Sequence, residues 1–368
     1  MVATARAKWI ALTVVALAAS ALADSAHSPN GKATSTTHQR PAPPMAMQMP
    51  TARGKGAVTD AVFHSNALGV DKRYEVYLPG GYGPSSGRYP VIYLLHGLGG
   101  DETNWVRQGA LAETADAMGL AAIVVMPDGD DGWYANWASP PLDYDTCLKG
   151  TREFGFEKDM RTYCVKTANY EDYIVKDLVA HIDASYRTIP ERRARAIGGL
   201  SMGGYGALAL GLRHDDVFAA IFSHSGVDSL FYKGPHPYDA AKVEIVDNAS
   251  VPAHWGERMG AIGSLVRTVF GAELANWEAH DPATLAAKLH DGEVALYLDV
   301  GTEDEFGLDA QAHHLDSVLT KAGVTHTFFA GPGRHSFAFW RDRIDDSLGF
   351  CMATFKSGAV SQNSRRPR

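Results

Sequence analysis

The sequence predicts an α/β protein, a mostly parallel sheet with helices on both faces. Two observations carry that expectation. Val91-Ile92-Tyr93-Leu94-Leu95 and Ala121-Ala122-Ile123-Val124-Val125-Met126 are short, unbroken apolar runs, the pattern of strands buried on both sides. Such runs alternate along one chain with segments of helical period, and repeated β-α units imply parallel strands joined by covering helices. With 368 residues and 45% hydrophobic composition, the chain has ample material for one large core.

Taken in order, Tyr74 to Leu78 alternates as a strand, and the two apolar runs above follow it. A helical pattern runs from Tyr170 to about Tyr186, then a strand through Ala194 to Gly198, a helix from Gly203 to Leu212 and a strand from Phe218 to Ser223. Strand Val294 to Val300, helix Asp309 to Lys321 and strand Thr325 to Phe329 complete the series. Residues 227–282 break this rhythm. They have no clean strand pattern and scatter their aromatics, which predicts a mostly helical insertion above the sheet, often a substrate-facing element.

The ends read differently from the middle. Arg6 and Lys8 precede an apolar run from Trp9 to Ala23 that closes on Ala21-Leu22-Ala23, the small-x-small pattern of signal-peptide cleavage. Residues 1–23 are therefore expected to be a signal peptide cleaved after Ala23. The run is shorter than the ~20 residues a membrane span needs, so no stable membrane insertion is expected after cleavage. Residues 24–56, rich in Ala, Ser, Thr, Pro and Met, read as a flexible linker, 57–357 as the catalytic domain, and 358–368 as a disordered tail. This places the mature protein in a secreted or periplasmic location. The formal charge of −8 gives no electrostatic reason to expect nucleic acid as a partner. The oligomeric state has no signature in the sequence.

Three cysteines are present. In an oxidising compartment Cys147 and Cys164 are near enough in sequence to staple one loop; the alternative is two free buried thiols, and Cα separation decides between them. Cys351 falls in an apolar helical pattern and reads as core packing.

The chemistry centres on Gly199-Leu200-Ser201-Met202-Gly203, a G-x-S-x-G sequence that follows a predicted strand and opens a predicted helix. Such a sharp turn thrusts the serine Oγ clear of the backbone, and side chains on the flanking glycines would clash. A serine hydroxyl is a weak nucleophile and needs a base, which needs an orienting acid. On such an elbow these partners follow along the chain, the acid first and then the histidine. His313 and His314 fall inside a predicted helix and His326 on a strand, leaving His335, in a loop after the last strand, as the base. The acid is sought just past strand Val294 to Val300, among Asp299, Glu303, Asp304 and Glu305. Asp299 still lies within the strand pattern and reads as a buried structural carboxylate or an edge residue. Asp304, in the turn, is the choice, with Glu303 as the alternative. The oxyanion of an acyl-transfer intermediate needs two backbone N–H donors. Met202, after the nucleophile, supplies one, and Leu98, in the glycine-rich loop His96-Gly97-Leu98-Gly99-Gly100 after an early strand, supplies the other. His96 braces that loop.

Residues Asp128 to Trp137 follow a strand and are placed on the same rim. Trp133, Tyr134 and Trp137 are candidates to stack on a sugar or aromatic ester, or else to pack on one another. The acids of this segment match no strong calcium-loop spacing, and no H-E-x-x-H or cysteine-rich zinc pattern occurs, so neither metal nor cofactor is assigned.

Joined to Met126-Pro127-Asp128-Gly129, Tyr170-Glu171-Asp172-Tyr173, Gly301-Thr302-Glu303-Asp304-Glu305-Phe306 and His335-Ser336-Phe337, these motifs resemble the esterase D family of α/β-hydrolases over roughly residues 60–355. That family includes S-formylglutathione hydrolases, feruloyl and acetylxylan esterases, short-chain acyl esterases and mycolyltransferases. The resemblance implies the α/β-hydrolase fold, Ser201 as nucleophile, Asp304 as acid, His335 as base, and Leu98 and Met202 as oxyanion amides. With the export signal, the expectation is a secreted serine esterase acting on short-chain acyl or carbohydrate-linked esters. An acyltransferase of mycolyltransferase type and a non-catalytic binding protein on the same fold are the alternatives.

Overall fold

A computed structural model describes residues 47, 49–155, 158–246 and 250–358. The expected signal peptide, most of the expected linker and the tail beyond Gly358 lie outside the described residues.

Among the described residues the sheet has eight strands: β1 (Ala57–Ser65), β2 (Val70–Leu78), β3 (Val91–Leu95), β4 (Ile123–Pro127), β5 (Arg195–Leu200), β6 (Ala220–His224), β7 (Ala295–Gly301) and β8 (Thr327–Gly331). Their spatial order is β1-β2-β4-β3-β5-β6-β7-β8. β1 and β2 form an antiparallel pair, β2 lies antiparallel to β4, and every pairing from β4 through β8 is parallel. The carboxyl ends of six strands therefore share one edge, the edge at which open α/β sheets bind ligands. β1 is absent from the expected elements. It alternates exposed and half-covered residues at the sheet's margin, so it lacks the apolar run that marks an inner strand.

Alternate residues of the inner strands serve opposite faces. Val91, Tyr93 and Leu95 face a layer that includes Ile174, Leu178, Ile182, Leu208 and Leu315. Ile92 and Leu94 face a second layer with Leu111, Ala115, Leu348, Cys351 and Phe355. The first layer comes from a helix over 170–185, from α1 (Met202–Arg213) and from α2 (Leu308–Ala322). The second comes largely from a short helix at Leu111–Met118 and a terminal helix at Ile344–Ser357. Helices thus cover both faces, as expected, and Cys351 is buried in the second layer. The 170–185 helix is interrupted by a π-helical stretch at Tyr173–Leu178, which the apolar period alone does not reveal.

The insertion between β6 and β7 is helical in its second half, at Val251–Phe270 and Leu274–His280. Its first half departs from the expected mostly helical insertion: among the described residues it is irregular apart from a short turn of helix at Ala240–Lys242. The end of the expected linker is not free chain. Arg53 N–H donates to Gly80 O at 2.7 Å and Gly56 N–H to Asp116 Oδ1 at 2.7 Å, while Met49 packs against the second layer.

One buried acid has no such support. Glu75, 7% exposed on β2, has an Oε2 without a hydrogen-bond partner among the described residues. Burial, then the nearby charges of Asp60 and Glu102, push its carboxyl up to about 7. A carboxyl raised on folding lowers stability as pH climbs from its unfolded value through the folded one. Glu75→Gln is therefore expected to raise the melting temperature at pH 8 and leave it unchanged at pH 4, measured by thermal unfolding at both.

Candidate active site

Four loops at the carboxyl edge converge on one serine. Ser201 links β5 to α1 with φ 55° and ψ −119°, a strained conformation for a residue with a Cβ, costing about 1–3 kcal/mol. The surroundings over-determine it. Ser201 N–H donates to His224 O at 2.9 Å, and Ser201 O accepts the N–H of Tyr205 at 2.9 Å. Glycine is required where α1 crosses the sheet: a Cβ on Gly203 would lie 2.5 Å from Leu95 O and 2.6 Å from His96 O. Below the elbow, both Asp299 carboxylate oxygens lie 2.8 Å from His224 Nδ1, and His224 Nε2 is 3.1 Å from Ser347 Oγ. Asp299 is therefore the structural carboxylate expected from its place in the strand. It fixes the residue whose carbonyl holds Ser201.

His335 and Asp304 meet the serine. His335 Nε2 lies 2.9 Å from Ser201 Oγ, and His335 Nδ1 lies 2.8 Å from Asp304 Oδ2. Asp304 is 1% exposed, and its other oxygen accepts the N–H of Phe306 at 2.9 Å. A carboxylate at Nδ1 selects the tautomer whose Nε2 is free to accept the serine proton. The acid and base loops are joined by backbone bonds, Thr302 N–H to Gly331 O and Glu303 N–H to Gly333 O, both 2.8 Å. Glu303 itself is exposed. The edges of Phe306 and Trp340 meet His335 at centroid distances of 4.9 Å.

The glycine-rich loop lies beside the serine, since a Cβ on Gly97 would fall 3.3 Å from Ser201 Cβ. His96 Nε2 lies 2.9 Å from Gly129 N and must accept its hydrogen. Nδ1 then carries the proton and donates to Gly97 O at 2.8 Å. Gly100 N–H donates to the same oxygen at 3.0 Å. A trans peptide points its C=O and N–H in opposite directions, so pinning Gly97 O also aims the Leu98 N–H. Met202 is the first residue of α1, where the helix leaves its N–H groups without internal partners. Leu98 and Met202 both line the cavity that contains Ser201 and His335.

That cavity encloses about 310 Å³. Its apolar wall comes from several places: Trp133 from the β4 loop, Val227, Leu230, Trp255 and Ile262 from the insertion, and Phe306 and Leu308 beyond β7. Of the three expected ring contacts, only Trp133 lines it. Tyr134 is 1% exposed and donates its hydroxyl to His96 O at 3.0 Å, supporting the glycine loop from within. Trp137 donates to Gly132 O at 3.0 Å and borders a separate small cavity beside Cys164. Consecutive left-handed residues, Trp133 at φ 54° and Tyr134 at φ 50°, send neighbouring side chains to different places, which residue type does not reveal. The insertion residues on the wall carried no signal beyond their scattered aromatics.

The acids of the β4 loop are matched by cations. Asp128 and Asp130 lie against Lys72 and Lys158, and Asp131 against Arg152. Cys147 and Cys164 form a disulfide with a Cα separation of 5.8 Å, within the range such a bond requires.

Comparison with known proteins identifies the family. Residues 65–351 match the Esterase family model, described as "Putative esterase", and the chain belongs to that family. The esterases MT1326 and Rv1288 of Mycobacterium tuberculosis are each 28% identical over 324 residues, covering 83% of this chain and 60% of their own. The chain thus spans 60% of the length of these curated relatives. Among solved structures, an S-formylglutathione hydrolase from Agrobacterium tumefaciens has a TM-score of 0.59 at 17% identity, covering 84% of this chain and all of that one. A ferulic acid esterase has a TM-score of 0.57 at 24% identity, covering 82% and 99%. Both likenesses concern the fold, which is that of the α/β-hydrolases.

Proposed function

We propose that the protein is an exported serine esterase that hydrolyses carboxylic esters through an acyl-enzyme on Ser201. The observation that carries this reading is the continuous Asp304–His335–Ser201 hydrogen-bond chain opening onto an apolar cavity. His335 Nε2 takes the Ser201 proton as Oγ attacks the ester carbonyl. Asp304 holds the imidazole and stabilises its cation. The Leu98 and Met202 amides receive the oxyanion. His335 then protonates the departing alcohol and activates the water that releases the acid.

A cavity of about 310 Å³ with hydrophobic walls suits a compact acyl group, at the small end of the range for ligand pockets. The substrates are short-chain acyl esters or esters carried on carbohydrate. Export rests on the signal-peptide pattern and is supported by the Cys147–Cys164 disulfide, since such bonds persist in oxidising compartments.

The test is fluorophosphonate labelling of the purified mature protein, with peptide mapping, followed by a panel of acetyl, butyryl, long-chain, feruloyl and acetyl-sugar esters. The expected result is one label on Ser201 and free acid released from the short-chain or sugar esters. Absence of label at Ser201 would overturn the reading. Acyl transfer to an added sugar in place of free acid would convert it to an acyltransferase.

A further inference from the structure

The turn that presents the Leu98 amide is gripped on its far side by a residue from outside the hydrolase sheet. Asp131 Oδ1 accepts the N–H of Gly99 at 2.9 Å. Arg152 Nη2 donates to Gly100 O at 2.8 Å and to Asp131 Oδ1 at 3.1 Å, and its Nε donates to Asp131 Oδ2 at 3.2 Å. Both side chains are only 3% exposed, and Tyr163 closes the cluster by donating its hydroxyl to Asp131 Oδ2 at 3.0 Å. One guanidinium fork thus holds the Gly100 carbonyl and the carboxylate that holds the Gly99 amide. A lysine could place an ammonium where Nη2 sits, but it would lose the parallel Nε bond to Asp131 Oδ2 that fixes the plane of the fork.

The origin of Arg152 matters as much as its contacts. It lies between Cys147 and Cys164, in the loop their disulfide closes. The same loop touches the turn directly, because a Cβ on Gly155 would fall 2.0 Å from Gly99 O, and Phe154 and Gly155 line the cavity. We propose that Arg152 is a positioning residue for the oxyanion hole, delivered by the disulfide-closed loop, and that it aims the Leu98 amide through Asp131, Gly99 and Gly100. This rests on the reading of Ser201 as nucleophile and Leu98 as oxyanion donor.

The separating measurement is kcat against KM for p-nitrophenyl acetate, normalised to the fraction of Ser201 that a fluorophosphonate labels at completion. Outright loss of an oxyanion donor costs about 10²- to 10³-fold in kcat. A donor retained but misaimed costs less, so Arg152→Ala is expected to lower kcat by about 30-fold with KM changed under about 3-fold. Guanidinium chloride at low millimolar concentration restores part of that loss, and Arg152→Lys, which keeps the charge, loses about 5-fold. Arg161→Ala in the same loop removes an exposed partner of Asp159 alone and leaves kcat unchanged. Wild-type kcat in Arg152→Ala overturns the proposal, as does a matched loss of kcat and KM without guanidinium rescue. Should Arg152→Ala not fold, wild-type kcat in folded Arg152→Lys overturns it. Failure of wild-type labelling at Ser201 instead overturns the esterase reading on which it rests.

Discussion

Ser201→Ala is expected to lower kcat for p-nitrophenyl acetate by about 10⁴- to 10⁶-fold, the loss seen when a serine nucleophile is removed from a cooperating triad. The size follows from geometry. Ser201 Oγ is the group His335 Nε2 faces at 2.9 Å, so without it the imidazole has no hydroxyl to activate. A residual rate above that in water is expected, because the backbone donors at Leu98 and Met202 remain in place to bind an oxyanion. Alanine has a Cβ and inherits the same φ of 55°, so the strain at the elbow is neither relieved nor increased and the melting temperature should stay within a degree or two. Steady-state kinetics beside thermal unfolding tests both halves. A folded variant with turnover within tenfold of wild type would remove Ser201 from the mechanism.

The second large effect is on stability. Lys72 is wholly buried on β2, and its ammonium donates to Asp130 Oδ2 at 2.7 Å, Asp128 Oδ2 at 3.4 Å and Thr162 O at 2.9 Å. Lys158 also bonds Asp128 and Asp130, and Tyr170 donates to Asp130 Oδ2 at 2.9 Å. Against the cost of burial, the two lysines hold Asp128 well below the ordinary carboxylate range. Burial and the neighbouring Asp128 charge leave Asp130 raised. Lys72→Met removes one of two cations from two buried carboxylates. Breaking such a pair costs about 3–5 kcal/mol, far more than the intact pair contributes over an apolar replacement. A carboxyl with a raised folded pKa takes up a proton on folding as pH falls, so the deficit should be larger at pH 8 than at pH 5. Urea unfolding at the two pH values measures it. An unchanged midpoint would mean that the network is hydrated or dispensable.

These two sites differ in how far the sequence reveals them. Ser201 and Asp304 each sit one turn past a strand whose apolar run is legible, His335 follows a short alternating strand at the opposite margin, and chain order restricts the choice further. The fold is legible for the same reason wherever strands are covered on both faces. It fails at β1, whose one-sided burial leaves no apolar run, and at the π-helical stretch, where period and geometry part company. Lys72 illustrates the other limit. Its partners lie 56, 58 and 90 positions away, and contacts across such distances have no local spacing to betray them. Trp133, Tyr134 and Trp137 mark a middle case: the preceding strand puts their loop at the rim, but backbone handedness decides which ring enters the cavity.

The insertion has a further consequence through the way its ends are tied. Leu230 N–H donates to Asp281 Oδ1, 51 positions later, and Asp281 also accepts from Thr284. Departure and return are thus pinned to one another at the rim, while the strands on either side, β6 and β7, pair in their own register from Ala220↔Ala295 to His224↔Asp299. The excursion is anchored like a cassette. Trp255 and Ile262, within the excursion, line the cavity while Ser201 stands on the sheet, so the shape of the cavity and the position of the serine are set by separate parts of the chain.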